Sequence, residues 1–158
     1  MKNNLISILI TNYNKSQFLK KSLKSIQSQQ YKNYEIIIFD DASTDNSIEI
    51  IKKFKKMKLV INKKKIYSCP ALNQIYGLKK AFLKSRGKII CLMDADDYFK
   101  KNKLFEVNKY FELNKKKNVL YNLPIVAAGN NFNILKITKN RIWPVIFPTS
   151  CISIKRDS

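Results

Sequence analysis

The sequence predicts an α/β domain: a mostly parallel sheet flanked by helices, followed by a short or truncated C-terminal part. Three observations predict it. Apolar runs of strand length (5–10, 35–39, 59–61 and 89–93) alternate with segments whose apolar residues recur at helical spacing. The first of these runs are apolar throughout rather than at every second position, as in strands covered on both faces. Polar clusters, Thr11–Asn14, Asp40–Asp41 and Asp94–Asp97, follow three of the runs directly. Ligands of such sheets bind at the carboxyl ends of the strands, so these clusters are expected to share one crevice.

Taken in order, residues 5–10 read as the first buried strand, ending in Thr11-Asn12-Tyr13-Asn14. A helix follows, expected to be capped by Asn14 or Ser16, with Phe18, Leu19, Ser22, Leu23 and Ile26 inward. The second strand, 35–39, runs into Asp40-Asp41-Ala42-Ser43-Thr44-Asp45, where Ser43 or Thr44 is placed to cap a helix carrying Ile48, Ile51 and Phe54. A short third strand, 59–61, leads through Lys63-Lys64-Lys65 to a helix over about 70–85, expected to turn Leu72, Ile75, Phe82 and the stem of Lys79 inward and to stop at Arg86-Gly87. The fourth strand ends in Asp94-Ala95-Asp96-Asp97, and a helix over about 102–114 buries Leu104, Val107 and Phe111. Beyond it, 119–121 and 151–154 read as strands joined by loop or short irregular strand.

Composition narrows the function. At 158 residues and 18.5 kDa the chain is the size of one domain. No run approaches the ~18 apolar residues that would span a bilayer, and Met1-Lys2-Asn3-Asn4 leads straight into a strand, so no signal peptide is expected. Cys69, Cys91 and Cys151 form no C-x-x-C pair and suit a reducing cytoplasm; Cys91 reads as a small core residue. The absence of histidine excludes Ser-His-Asp and Cys-His catalysis and His-ligated zinc within this chain. The net charge is +20, but only Arg86, Arg141 and Arg156 among the 31 basic residues are arginine, and the lysines are spread over nearly every segment. That distribution argues against sequence-specific nucleic-acid reading, which leans on arginine's bidentate fork. It favours anionic partners: phosphates, nucleotides, or peripheral contact with the anionic inner face of a cell membrane.

The acids are few and placed. Of the 11 Asp and Glu, Asp40, Asp41, Asp94, Asp96 and Asp97 follow two strands immediately. If the fourth strand continued extended, Asp94 and Asp96 would point the same way, and two carboxylates on one side repel unless a cation sits between them or one is protonated. Mg²⁺ or Mn²⁺, bridging carboxylates to substrate phosphates, suits such ligands; the alternative is a solvated acidic turn capping the next helix. No G-x-G-x-x-G or G-x-x-x-x-G-K-[ST] occurs among only three glycines, so a metal is the expected means of holding phosphate. Plainer readings stand beside these. Tyr13 could simply pack, Asp40 could anchor its loop through backbone N–H groups, Asp45 could serve a helix's first turn, and Lys63–Lys65 could be a solvated face.

Ser7-Ile8-Leu9-Ile10-Thr11-Asn12-Tyr13-Asn14, Phe39-Asp40-Asp41-Ala42-Ser43-Thr44-Asp45, and Gly87-Lys88-Ile89-Ile90 with Met93-Asp94-Ala95-Asp96-Asp97 together resemble the nucleotide-binding half of family 2 inverting glycosyltransferases of the Rossmann-like GT-A fold. The resemblance covers about residues 5–112 and is nearest to bacterial spore-coat and surface-polysaccharide members. It implies a metal-dependent transfer of sugar from a nucleoside-diphosphate sugar, with a UDP-sugar expected, to a glycan or lipid-linked acceptor in polysaccharide biosynthesis. It implies that Thr11 and Tyr13 line the nucleobase pocket and that Asp41 accepts an N–H of the base, a uracil imide. It implies that Asp96 meets the ribose or the metal, and that Mn²⁺ or Mg²⁺ is held among Asp96, Asp97 and Asp94. On this reading 1–115 is the donor-binding part and 116–158 the start of an acceptor-binding part.

Two departures qualify the resemblance. Where relatives often carry Ala-Arg-Asn before the fourth strand, this chain has Ala71-Leu72-Asn73-Gln74, and Lys79 or Lys80 would have to stand in for the arginine. The general base of inverting transfer is expected beyond Ser158, since Asp157 is the only acid after Glu112. A donor-binding module without turnover, and a nucleotidyltransferase, are the competing functions. The second lacks support from the glycine-free stretch 11–16.

Overall fold

A computed structural model describes residues 2–122, 125–128, 131–134 and 149–156. The strands are β1 (Ile6–Asn12), β2 (Tyr34–Asp41), β3 (Met57–Asn62), β4 (Ile89–Asp94), β5 (Val119–Tyr121), β6 (Ile125–Ala128), β7 (Asn131–Ile134) and β8 (Ile152–Lys155). The helices are α1 (Ser16–Gln27), α2 (Ser47–Lys52), α3 (Pro70–Leu83) and α4 (Lys103–Leu113), with a 3₁₀ turn at Thr149–Cys151. One sheet of six strands runs in the order β3-β2-β1-β4-β8-β5. Its first four strands are parallel, while β8 lies antiparallel to both β4 and β5, and β6 pairs antiparallel with β7. The predicted α/β architecture with a mostly parallel sheet is the one observed.

β1 is buried on both faces because it lies inside the sheet between β2 and β4. Ile6, Ile8 and Ile10 point into one core with Leu19, Leu23 and Ile26 of α1 and Leu104, Val107 and Phe111 of α4. Leu9 points to the other side, where Ile37, Phe39, Ile90 and Ala81 of α3 meet. Ser7, a buried polar residue of β1, is satisfied: its hydroxyl donates to Glu35 Oε1 (2.7 Å) and accepts from the Gly87 N–H (2.8 Å). A Cβ on Gly87 would stand 2.5 Å from the Ser7 nitrogen, so the turn into β4 needs glycine for close approach.

Helix α3 packs Phe82 against the core as expected, but the residues it buries on the sheet are not the expected Leu72 and Ile75. Its buried residues are Asn73, Gly77 and Ala81, while Leu72 and Ile75 are exposed. The physical reason is proximity. A Cβ on Gly77 would stand 2.5 Å from Phe39 Cδ1, so small side chains at i, i+4 and i+8 let the helix settle on the aromatic ring. Elsewhere the expected faces hold, except that Phe18 is exposed. β2 continues through Asp41, so both of its aspartates are strand residues, and Cys151 sits in the 3₁₀ turn rather than in β8. Cys91 is a core residue, fully buried in β4.

Glu35 ties the amino ends of the strands together. Besides Ser7 it accepts the Arg86 N–H on Oε1 (2.5 Å) and the Lys58 ammonium on Oε2 (2.8 Å). Burial alone would raise this carboxyl, but Lys58, Ser7 and the Arg86 amide overcome it and hold the pKa at about 2.

Two measurements test this packing. Gly77→Ala should lower stability by about 1–3 kcal/mol in urea unfolding despite alanine's better helix propensity, because the methyl meets Phe39; a gain would refute the close approach. Glu35 is depressed from 4.5 to about 2, so its contribution is complete above pH 4.5 and is lost as the pH falls towards 2. Glu35→Gln should therefore flatten the urea-midpoint profile across that window, and an unchanged profile would contradict the assignment.

Candidate functional site

From β1 the chain passes to β2 and β3 on one side, then returns to β4 on the other, which makes the gap between the carboxyl ends of β1 and β4 a topological switch point. Thr11 and Asp94 are register partners across it, and Asn12 pairs with Asp40 on the β2 side. A cavity of about 430 Å³ lies there, lined by Thr11 to Tyr13 and Lys15 after β1, Phe39 and Asp41 of β2, and Lys65. The first turns of α3 and the Asp94-Ala95-Asp96 turn complete it. The three predicted strand-end clusters do converge.

The loops carrying these groups are knitted to one another. Asp40, with no solvent exposure, accepts the Ser43 N–H on Oδ1 (2.9 Å) and both Asn12 Nδ2 and the Ser43 hydroxyl on Oδ2 (2.7 Å each). The Ser43 hydroxyl also accepts the Asn14 N–H (3.0 Å), and Asn14 Oδ1 accepts the Thr44 N–H (2.8 Å). Asn14 and Ala42 adopt the left-handed conformation (φ 50° and 58°) that these turns require. Asp40 is thus a loop anchor, as its plainer reading had it. Asp45 caps two helices at once, accepting the Ser16 N–H of α1 (2.9 Å) and the Ser47 N–H of α2 (3.0 Å). Burial pushes its carboxyl up, but Ser47 and Ser16, through side chain and backbone, hold it at about 2. Neither Asn14 nor Ser16 caps α1, and neither Ser43 nor Thr44 caps α2, because the cap comes from Asp45, distant in sequence from α1.

Asp41 accepts a bond from Asn62 Nδ2 on Oδ1 (3.0 Å), and its other oxygen carries no hydrogen bond among the described residues. Asn12 Oδ1, in the same wall, is buried without a partner. Tyr13 lies beside Lys65, whose ammonium stands 3.4 Å from the ring centroid. Lys65 is exposed, as the solvated-run reading expects, and it also lines the cavity. Lys79 and Lys80 do not line the cavity; Lys80 Nζ lies 5.2 Å from the Tyr76 ring centroid.

The acidic segment is a turn, not an extension of β4. The strand ends at Asp94, and the Asp97 N–H donates to the Asp94 carbonyl (3.1 Å). Strand alternation therefore does not relate Asp94 to Asp96, yet the turn brings both to the cavity and leaves Asp97 outside its lining. Asp94 Oδ1 accepts Gln74 Nε2 (2.7 Å) and the Thr11 hydroxyl (3.5 Å). Asp96 Oδ2 is 2.6 Å from Lys15 Nζ, and Asp97 Oδ2 accepts the Ser150 hydroxyl (2.5 Å). Ser150 Oγ also accepts the Asp94 N–H (2.9 Å). Burial, with the charges of Asp97 and Asp96, pushes the Asp94 carboxyl up against the opposing bonds from Gln74 and Thr11.

Among the described residues no three His, Cys, Asp or Glu gather around one point. Asp94 and Asp96 of the acidic turn remain, hard oxygen donors whose crowded negative charge a cation would relieve. That set fits Mg²⁺ or Mn²⁺ with the rest of the shell filled by phosphate and water. Lys15, Gln74 and Ser150 join the site without belonging to any of the strand-end clusters. Gln74 stands in the segment where the resembling proteins carry arginine, and Lys15 directly follows the strand-end cluster. Ser150 had no local signal. Asp157 and Arg141 lie outside the described residues.

Comparison with known proteins agrees with this geometry. Residues 7–154 match the model of the family described as Glycosyl transferase family 2. An uncharacterised glycosyltransferase of Nostoc sp. is 31% identical over 127 residues, 79% of this chain and 38% of the relative. The UDP-Glc:alpha-D-GlcNAc-diphosphoundecaprenol beta-1,3-glucosyltransferase of Escherichia coli is 37% identical over 101 residues, 63% of this chain and 38% of the relative. The chain thus matches over well under half the length of these relatives. A mannosyltransferase of Pyrobaculum calidifontis, solved with GDP-Man and Mn²⁺, shares the fold with a TM-score of 0.71 at 20% identity, over 96% of this chain and 44% of that one.

Asp45→Ala removes both helix caps, each worth about 1 kcal/mol. The expected loss of about 2 kcal/mol is read by urea unfolding, with Asp45→Asn recovering part of it; a loss below about 0.5 kcal/mol would show that water replaces the carboxylate without cost.

Proposed function

The chain belongs to glycosyl transferase family 2, and on that premise we propose that its cavity binds the donor of a glycosyl transfer, a nucleoside-diphosphate sugar with UDP as the nucleotide. The observation that carries this reading is the meeting, at one switch point, of Asp41 beside Tyr13 with Asp94 and Asp96 across β1. Asp41 offers an acceptor to an N–H of the base, Tyr13 offers its ring, and Thr11 completes that wall. The base takes the tyrosine face opposite Lys65 or displaces the ammonium.

Asp96, with Asp94 beside it, would hold Mn²⁺ or Mg²⁺, and the ion would neutralise the charge that builds on the departing nucleoside diphosphate. Asp97, spent on Ser150, holds the turn in place of binding the ion. With a cation on Asp96, Lys15, now paired with that carboxylate, would be free to meet the phosphates. Gln74 keeps Asp94 oriented. The E. coli relative's name specifies a UDP-sugar donor and a lipid-linked sugar acceptor, and the archaeal structure contains Mn²⁺; both support this assignment.

In the transfer an acceptor hydroxyl attacks the anomeric carbon, the bond to the diphosphate oxygen breaks, and the configuration inverts. The hydroxyl proton passes to a base in the acceptor-binding part, which we take to begin near residue 116. None of the cavity carboxylates is assigned that role. The acceptor is a glycan or lipid-linked sugar of cell-surface polysaccharide synthesis. The three free cysteines accord with a cytoplasmic setting.

Calorimetry with UDP, GDP, CDP and ADP, in Mn²⁺, Mg²⁺ or chelator, tests the site. UDP should bind tightest and only with metal. Asp96→Asn should remove most of that binding, and Asp41→Asn should weaken it about tenfold, the equivalent of one charge-assisted hydrogen bond. Equal UDP affinity in chelator, or an unaffected Asp96→Asn, would overturn the metal-diphosphate assignment.

A further inference from the structure

Helix α3 turns outward a second face that has no partner among the described residues. Leu72, Ile75 and Leu83 are 48%, 63% and 66% exposed, and their spacing sets them on one stripe diametrically across the helix from buried Asn73, Gly77 and Ala81. Lys79 falls in the middle of that stripe and is also exposed. Ile66 and Tyr67, 48% and 42% exposed, adjoin its start, where their N–H groups bond Asn73 Oδ1. The charge around the stripe is of one sign: from Lys63 to Lys88 the chain has Lys63, Lys64, Lys65, Lys79, Lys80, Lys84, Arg86 and Lys88 and no acid.

We propose that this outer face of α3 docks the protein on an anionic lipid bilayer. Aliphatic side chains on one stripe flanked by lysines are the composition of a helix that lies in the plane of a membrane interface. The central Lys79 chooses among occupants. At a bilayer its stem can lie along the acyl boundary while the ammonium reaches the headgroups. In a protein interface the same ammonium would be buried inside the apolar patch and would need a dedicated partner. A second copy of this chain would bring the same run of basic residues face to face with itself, which repulsion opposes.

Docking by this face has a consequence for the cavity. Pro70 and Ala71 line it, and Leu72 is the next residue, so the stripe begins at the cavity's rim. A bilayer on α3 would hold that rim at the headgroup level, where a lipid-linked acceptor presents its sugar. This use of the surface rests on the transfer reading; the docking itself does not.

The test is flotation of the 158-residue chain with vesicles of phosphatidylcholine alone and of phosphatidylcholine with about one-third phosphatidylglycerol, without nucleotide or metal. The chain should float with the anionic vesicles only. Because a charge of +20 attracts such vesicles without any specific face, two variants of equal charge change separate the cases. Ile75→Glu/Leu83→Glu should weaken binding about tenfold or more. Leu113→Glu/Phe105→Glu, which alters exposed apolar residues of α4, should change it by no more than about twofold. All four positions are exposed, and unfolding curves confirm that each variant folds. Equal loss in both variants would reduce the binding to general charge and overturn the proposal. So would the absence of flotation, whether or not Ile75→Glu/Leu83→Glu then abolishes self-association or a protein contact. UDP calorimetry on the same variants keeps a failure of docking distinct from a failure of the donor site.

Discussion

Asp40 is the group on which the carboxyl end of this sheet depends. A carboxylate without solvent exposure costs several kcal/mol unless its oxygens are fully hydrogen-bonded, and Asp40 meets that condition with Asn12 and Ser43. The same bonds fix the relative position of the loops after β1 and β2. Through Ser43 they reach Asn14, through Asn14 they reach Thr44, and Asp45 then clamps the starts of α1 and α2. Tyr13 and Asp41, between and beside these anchors, are therefore placed before any ligand arrives. Preorganisation of this kind lowers the ordering cost of binding.

The acidic turn across β1 is held differently. Each of its carboxylates has its own partner: Gln74 for Asp94, Lys15 for Asp96 and Ser150 for Asp97. The Lys15–Asp96 pair is partly exposed and so worth little as stability. Its value on the donor reading is that it can be exchanged for a cation and phosphates at small cost. Asp97, bonded to the 3₁₀ turn ahead of β8, makes the turn's position depend on a segment more than 50 residues away. With Leu72 where the resembling proteins place an arginine, the cationic side chains of the cavity are Lys15 and Lys65.

Helix α3 shows how one helix can serve two surfaces. Its small residues admit the sheet to within van der Waals contact of the backbone, and the larger aliphatic residues are left outside among lysines. An apolar stripe at helical spacing says that a face is amphipathic, and it does not say which face packs. Phe82 packs against the core as its hydropathy has it, whereas Leu72 and Ile75 pointed inward by hydropathy alone. Volume decided otherwise, because Phe39 fills the space in which a larger residue at position 77 would have to sit.

What the sequence determined by itself was the alternation of strands and helices, the burial of β1, β2 and β4, and the convergence of Thr11–Tyr13, Asp41 and the Asp94–Asp97 acids. Periodicity and the chain direction of a parallel sheet are local properties, and they suffice for that much. Tertiary structure alone decided the strand order that makes β1 and β4 the walls of the crevice, and the antiparallel seating of β8. It also decided that Asp94-Ala95-Asp96-Asp97 closes as a turn, which gives Asp94 and Asp96 to the cavity and Asp97 to Ser150. The identities of Lys15, Gln74 and Asp45 as partners were settled at the same level. Apart from the local bond of Asp45 to Ser47, which its reading as a first-turn acid anticipates, their contacts run between segments far apart in the chain, where propensity, spacing and motif carry no information.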